Sequence, residues 1–355
     1  MKKSELMNDG NSGVWGGHRG IDFYDVISVE NLFSAWRTFC KGKRSNTDVG
    51  RFELQLESNI FSLHHRLISG SWKPDPYKVF FVQDPKPRRI HKASVADRVL
   101  YQALYQVLYH IFNSCFIHDS YASRNLKGTH RGVKRFEVFA RKVSKNYRYS
   151  AFVLKCDVRK FFDSIGHAIL LKLVRRKISD KKLLALLEQV IRSFEVLPGK
   201  GLPLGNVTSQ IFANIYLNEL DQFVKHGLRV RYYIRYCDDF VILSASREEL
   251  EYRKTKIRIF LEQKLFLSLH PNKITIRKVL QGTDFLGYVT LPHYRILRAR
   301  TKNRVFKKIT EMLRMVAKGE ISNKRFKNGL TSYLGLLAHC KGDKIRAAIK
   351  ESRKI

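Results

Sequence analysis

The stretch 230–245, VRYYIRYCDDFVILSA, sets two adjacent carboxylates, Asp238 and Asp239, between two runs rich in β-branched and aromatic residues. Such runs around a short polar break predict a β-hairpin, with Cys237 and Asp238 at its tip. A solvated turn does not normally carry Tyr232, Tyr233, Ile234, Tyr236, Phe240, Val241, Ile242 and Leu243 around it, so the acids are expected to emerge from a buried hairpin. A second strand pattern, SAFVLKCDVRKFFDSI over 150–165, holds Asp157 at its end and leads into a helix. In an antiparallel α+β sheet, neighbouring strand ends converge even when distant in sequence. Asp157, Asp238 and Asp239 are therefore candidates for one carboxylate cluster.

The rest of the chain is strongly basic. Lys and Arg number 67 against 31 Asp and Glu, a formal charge of +36. No fold needs that excess, and it points to a polyanionic partner, either nucleic acid or an anionic membrane. A membrane span needs roughly 18 to 20 apolar residues, and no such run here escapes Lys, Arg or Asp, so nucleic acid is favoured over membrane. Met1-Lys2-Lys3 begins like a signal peptide, but Ser4 to Gly20 has no apolar core, and a cytoplasmic location is expected. Cys40, Cys115, Cys156, Cys237 and Cys340 are dispersed, with no CxxC pair and no zinc-like spacing, which argues for reduced thiols. His64 and His65 point about 100° apart on a helix and are read as structural. Carboxylates without histidine suit Mg²⁺, which takes oxygen ligands and usually only one or two carboxylates plus substrate phosphates. Two such ions about 3.5 to 4 Å apart serve phosphoryl transfer.

Strands and helices interleave throughout. The first residues read as a polar tail, followed by a helix in which Leu32, Ala35, Trp36 and Phe39 recur at helical spacing before the basic stop Lys41 to Arg44. LISGSWKPDPYKVFFVQDPKPRRIHKAS (67–94) predicts strand, turn, strand with a basic tip at Lys86, Arg88 and Arg89. VADRVLYQALYQVLYHIF (95–112) has a continuous apolar helical face. Ser246 and Glu249 have capping-box spacing at the head of a helix running to about Lys264. DFLGYVTLPHYRIL (284–297) predicts a second hairpin, and the chain from Thr301 onward is helical and basic.

YCDD resembles the [FY]-x-D-D signature of reverse transcriptases, and other blocks of that family follow the same order. VLKCDVRKFFDSI resembles the first catalytic block of the palm and PLGNVTSQIFANIYLNELD the template and nucleotide block. LSLHPNKITI resembles the later palm lysine block, FLGY the primer grip and SYLGLLAHC the thumb. The resemblance implies an α+β right-hand polymerase fold with fingers, a palm of antiparallel sheet plus helices, and a helical thumb. Its expected boundaries are a tail over 1–24, fingers over 25–148, palm over 149–295 with part of the fingers returning near 165–200, and thumb over 296–355. It implies RNA-directed DNA polymerase activity, with Asp157, Asp238 and Asp239 catalytic and two Mg²⁺ ions, replaceable by Mn²⁺, held by these acids and the Val158 carbonyl. Lys86, Arg88, Arg89, Phe162, Gly205, Gln210 and Lys273 would bind the dNTP. Phe162 matches the aromatic gate that rejects a 2′-hydroxyl. Leu204, Ser209, Phe285, Leu286, Gly287 and Tyr333 would meet template RNA and the primer duplex. Lys302, Arg304, Lys307, Lys308, Arg314, Lys324, Arg325 and Lys327 would track its backbone by a salt-dependent grip.

The template block departs from the commonest family form, Gln-Gly-x-x-x-Ser-Pro. Here Leu204-Gly205 leads to Ser209-Gln210, a form associated with the group II intron-like reverse transcriptases of bacterial and phage diversity-generating retroelements. That subfamily misincorporates opposite template adenines and works with a small basic accessory protein. Some abortive-infection and other defence enzymes also depart at these positions, so a defence or retron-like reverse transcriptase is the alternative, and a non-catalytic RNA-binding, maturase-like scaffold is the alternative of a different class. An RNA-dependent RNA polymerase would share the acid pair, but the bulky Phe162 argues against it. The sequence ends soon after the thumb block, at Ile355, so target cleavage and strand removal are expected from elsewhere.

Overall fold

A computed structural model describes residues 21–83 and 87–351. The chain opens with α1 (Phe23–Ile27), α2 (Val29–Phe39), α3 (Thr47–Leu54) and α4 (Leu56–Ile68), then the ribbon β1 (Lys78–Val82) and β2 (Arg88–Lys92), and α5 (Val95–Phe112). Next come α6 (Thr129–Val143), β3 (Phe152–Asp157), α7 (Phe161–Ser164), α8 (His167–Arg175), α9 (Lys181–Arg192) and α10 (Val207–Gln222). The hairpin β4 (Tyr233–Tyr236) and β5 (Asp239–Ser244) follows, with α11 (Arg247–Phe260), β6 (Thr275–Lys278) and the meander β7 (Thr283–Phe285), β8 (Tyr288–Leu291) and β9 (Tyr294–Leu297). Helices α12 (Ala299–Ala317), α13 (Asn323–Leu337) and α14 (Asp343–Glu351) end the described chain. Among the described residues no helix is long and apolar enough to cross a membrane.

Local chemistry sets the boundaries. Ser94 accepts from the Asp97 N–H at 3.1 Å and starts α5 where the apolar pattern begins. Phe23 and Tyr24, assigned from sequence to the tail, begin α1 instead, because Asp22 and Asp25 cap it reciprocally; residues 1–20 lie outside the described chain. Ser246 caps α11 through the Glu249 N–H at 3.0 Å, but only half of the expected capping box forms. The Glu249 carboxylate is taken by Ser244 and Arg253, and the Ser246 N–H donates to Ser244 Oγ instead. The predicted second hairpin is a three-stranded meander, because the two-residue turn Pro292–His293 folds β9 back onto β8.

Contacts divide the chain into two units. The first comprises the described residues up to Cys115 together with Phe162–Tyr216; the second comprises Phe116–Phe161 and the described residues from Leu217 onward. Residues 116–148, grouped with the fingers by sequence, belong to the second unit, because α6 packs on its sheet. In the first unit α2 packs along α5 and buries Trp36, Leu100 and Leu104. The apolar face predicted for α5 is the one used.

The central sheet of the second unit has the order β4-β5-β3-β6 and is antiparallel throughout. Alternation along the strands puts Val153, Lys155 and Asp157 on one face with Asp239, Val241 and Leu243. Phe136, Phe139 and Ala140 of α6 cover the apolar half of that face. Toward the other end of the same strands the face turns from apolar to charged, at Lys155, Asp157 and Asp239. Replacing Phe136, which is 1% exposed, by Ala is expected to cost about 3 to 5 kcal/mol in urea unfolding. Phe81→Ala on β1, at 69% exposure, should shift the midpoint by less than about 0.5 kcal/mol, and equal effects would refute this placement of the core.

Candidate active site

The register of β3 on β5 makes Asp157 the direct cross-strand partner of Asp239. Directly opposed residues in such a ladder hold their Cβ atoms about 4.5 to 5.5 Å apart. Asp238 precedes Asp239 in the two-residue β4–β5 turn, and its carbonyl accepts from the Val158 N–H at 3.3 Å. The three acids predicted from sequence therefore meet at one end of one sheet. Burial, and then the charge of Asp157, raise the pKa of Asp238. Burial pushes Asp239 up to about 6, with Lys155 opposing the rise and Asp157 and Asp238 adding to it.

Two lysines answer the acids. Lys273, expected from the resemblance to bind the dNTP, sits in a short turn after Pro271 and donates to Asp157 Oδ1 at 2.7 Å. Lys155, two residues before Asp157 on the same face, is tied to the Asp284 carbonyl at 2.9 Å. The segment after Asp157 is pinned as well. The Asp157 carbonyl accepts from the His270 N–H at 2.8 Å, and the Arg159 N–H donates to the Ser268 carbonyl at 2.8 Å.

Beneath the acidic turn lies a group that the sequence did not single out. Arg235 is fully buried on β4 and forks onto Asp221, with Nε to Oδ1 at 2.8 Å and Nη2 to Oδ2 at 2.7 Å. The same guanidinium reaches Ser120 Oγ at 3.1 Å and the Cys237 carbonyl at 3.1 Å. Burial works against its charge, Asp221 more than offsets that, and the pKa is raised overall. Residues 119–121 run beside β4, with the Arg235 N–H donating to the Asp119 carbonyl and its own carbonyl accepting from the Tyr121 N–H. The available signal was a charge at a strand position whose neighbours demand an apolar residue, with an acid at the end of the preceding helix.

Of the other candidates, Arg88, Arg89 and Leu204 are brought together in the first unit, where they line a cavity of about 600 Å³ with His91, Asp163 and Phe194. Lys86 lies outside the described residues. Gly205, with φ +120°, packs against β2, and a methyl group in its place would lie 3.1 Å from Ile90 Cγ2. Phe162 is half-buried, whereas Phe161 is buried. Gln210 is exposed on α10 and Ser209 is buried. Phe285 is fully buried in the core of the second unit, whereas Leu286 and Gly287 form the β7–β8 turn at φ +52° and +88°. Tyr333 is partly buried against the core formed by α12 and α13.

The family model described as reverse transcriptase (RNA-dependent DNA polymerase) matches residues 78–290, from β1 through the acids to β8. The chain belongs to the reverse transcriptase family. As such it is an RNA-directed DNA polymerase in class, built from helices and antiparallel sheet. Protein YkfC of Escherichia coli K12 is 26% identical over 323 residues, covering 78% of this chain and 83% of YkfC. The group II intron-encoded protein LtrA of Lactococcus lactis is 22% identical over 338 residues, covering 75% of this chain and 54% of LtrA, so this reverse transcriptase spans about half the length of that relative. Apo telomerase from Candida tropicalis aligns with a TM-score of 0.49 at 13% identity, covering 71% of this chain and 56% of that one.

Reverse transcriptases work with divalent metal ions, and the donor set here fits one. Three carboxylates face two lysines at the strand ends, and the raised pKa values of Asp238 and Asp239 show that their charge is under-compensated. Among the described residues no group of three or more His, Cys, Asp or Glu side chains is placed to hold a metal ion by itself. An open set of oxygens is what Mg²⁺ uses when substrate phosphates complete its shell. Because the folded pKa of Asp239 lies above its unfolded value, this group lowers stability as pH rises from about 4 to about 6, and the full cost persists above that. Asp239→Asn should therefore raise the melting temperature of the metal-free protein at pH 7, by a stability increment on the order of 2 kcal/mol, and give no gain below about pH 4. Millimolar Mg²⁺ should raise the melting temperature of the parent more than that of the variant. A pH-independent difference would refute the under-compensated charge.

Proposed function

We propose that the protein copies a template RNA into DNA by two-metal nucleotidyl transfer, with Asp157 and Asp238 as the principal metal ligands and Asp239 beside them. The observation that carries this is the cross-strand pairing of Asp157 with Asp239 next to the Asp238 turn, inside the region matched by the reverse transcriptase family. Two Mg²⁺ ions at these oxygens, or Mn²⁺ in their place, would activate the primer 3′-hydroxyl and stabilise the departing pyrophosphate. Lys273 keeps Asp157 oriented and holds a proton beside the site. Arg88 and Arg89 supply planar donors suited to triphosphate oxygens, and Phe162 supplies the bulk that excludes a 2′-hydroxyl. The basic residues of α12 and α13 hold the template–primer backbone without reading sequence.

Within this activity we assign the chain to the error-prone enzymes of diversity-generating retroelements, on Leu204 and Gln210 in the template block. A hydrocarbon side chain at 204 removes a polar contact where the commonest form carries glutamine. The partners are then template RNA, the primer duplex, dNTPs and a small basic accessory protein. Five cysteines with no disulfide among the described residues accord with work in the reducing cytoplasm of a bacterial host. The likeness to LtrA favours a second reading, an intron-encoded type of enzyme, whose errors would not concentrate at adenines.

Primer extension on an RNA template tests both levels. Asp238→Asn should lower the rate by a factor on the order of 10³, and unchanged incorporation would sink the assignment of the acids. Sequencing the products should show misincorporation concentrated opposite template adenines and reduced by Leu204→Gln. Errors spread evenly over the four template bases would overturn the retroelement reading and leave the polymerase reading intact.

A further inference from the structure

We infer that Arg235 is a positioning residue for Asp238, fixing the peptide plane on which that carboxylate is mounted; this rests on the reading of Asp238 as a metal ligand. Cys237, the first residue of the β4–β5 turn, has φ +54°, a left-handed conformation that a side chain other than glycine's disfavours. The turn does not hold that shape on local preference. Arg235 Nη1 donates to the Cys237 carbonyl at 3.1 Å, and that carbonyl belongs to the same peptide plane as the Asp238 N–H. Orienting the plane orients the Cα–Cβ direction of Asp238. The next carbonyl, that of Asp238, is held from the other side by the Val158 N–H.

The guanidinium itself cannot swing. Asp221 takes two of its nitrogens in a fork, Ser120 takes a third bond, and the Tyr233 hydroxyl donates to Asp221 Oδ1 at 2.8 Å. Both charged side chains are wholly buried, so solvent does not loosen them. A buried ion pair is weak ground for stability, since apolar residues of similar volume often replace one at no loss. Here one donor of the pair leaves it to brace a strained turn, and that geometry is what an apolar replacement cannot reproduce. Lysine cannot reproduce it either, having no planar fork with which to meet Asp221 and the Cys237 carbonyl at once.

The test uses the full chain carrying Arg235→Met with Asp221→Leu, which removes both charges together, and separately Arg235→Lys. Circular dichroism and melting confirm the fold. Mn²⁺ binding to the protein without nucleic acid, followed by the electron paramagnetic resonance of free Mn²⁺, is read beside kcat and KM in primer extension. The double variant should bind Mn²⁺ about tenfold more weakly and lose about tenfold or more in kcat, with KM for dNTP within about twofold. Arg235→Lys should fall between it and the parent. A folded double variant with Mn²⁺ affinity and kcat within about twofold of the parent overturns the inference. If the double variant does not fold, Arg235→Lys decides by the same two readouts. Asp238→Asn serves as the control: if it keeps full Mn²⁺ affinity and activity, the metal-site reading itself has failed, an outcome distinct from a failure of Arg235 alone.

Discussion

The pairing of β3 with β5 governs the rest of the site. Side chains alternate with a period of two along a strand, so a slip of one residue would send Asp157 to the opposite face and expose Val153 in exchange. That slip is resisted by the packing of Val153, Val241 and Leu243 under α6. The apolar half of the face thus sets the register, and the charged half inherits its alignment from it. The polar groups contribute little to choosing the fold and depend on the apolar groups for their meeting.

The charge distribution follows the same division. An overall excess of +36 favours polyanions at a distance, while the three acids sit at strand ends where burial and their neighbours raise the pKa of Asp238 and Asp239. Attraction of the substrate and chemistry upon it are thereby assigned to opposite signs of charge. Lys155 and Lys273 moderate the repulsion among the acids without cancelling it.

Much of this was legible in the residues. The hairpin around Cys237 and Asp238, the extent of α5 and the Ser246 cap follow from alternation, helical periodicity and turn chemistry, all local properties. Two kinds of feature escaped. The meander at β7 to β9 reads as a hairpin in the sequence because the Pro292–His293 turn is neither Asn-Gly nor Asp-Gly, the strongest short-range signal. The Arg235 network depends on Asp221, Ser120 and Arg235 meeting from three separate segments, and no spacing rule joins them. The boundary of the first unit at Cys115 was displaced for a similar reason, since the face of α6 does not reveal which sheet it will cover.

The ribbon of β1 and β2 has a consequence of its own. Val79, Phe80, Phe81 and Val82 are all exposed, so neither face of β1 is covered, and the ribbon is anchored through β2, by Ile90 beside Gly205 and by the His91 N–H on the Leu204 carbonyl. An isolated two-stranded ribbon in water is only marginally stable. β1 therefore takes its stability from what β2 packs on, and the order of the whole ribbon is borrowed from the Leu204–Gly205 segment.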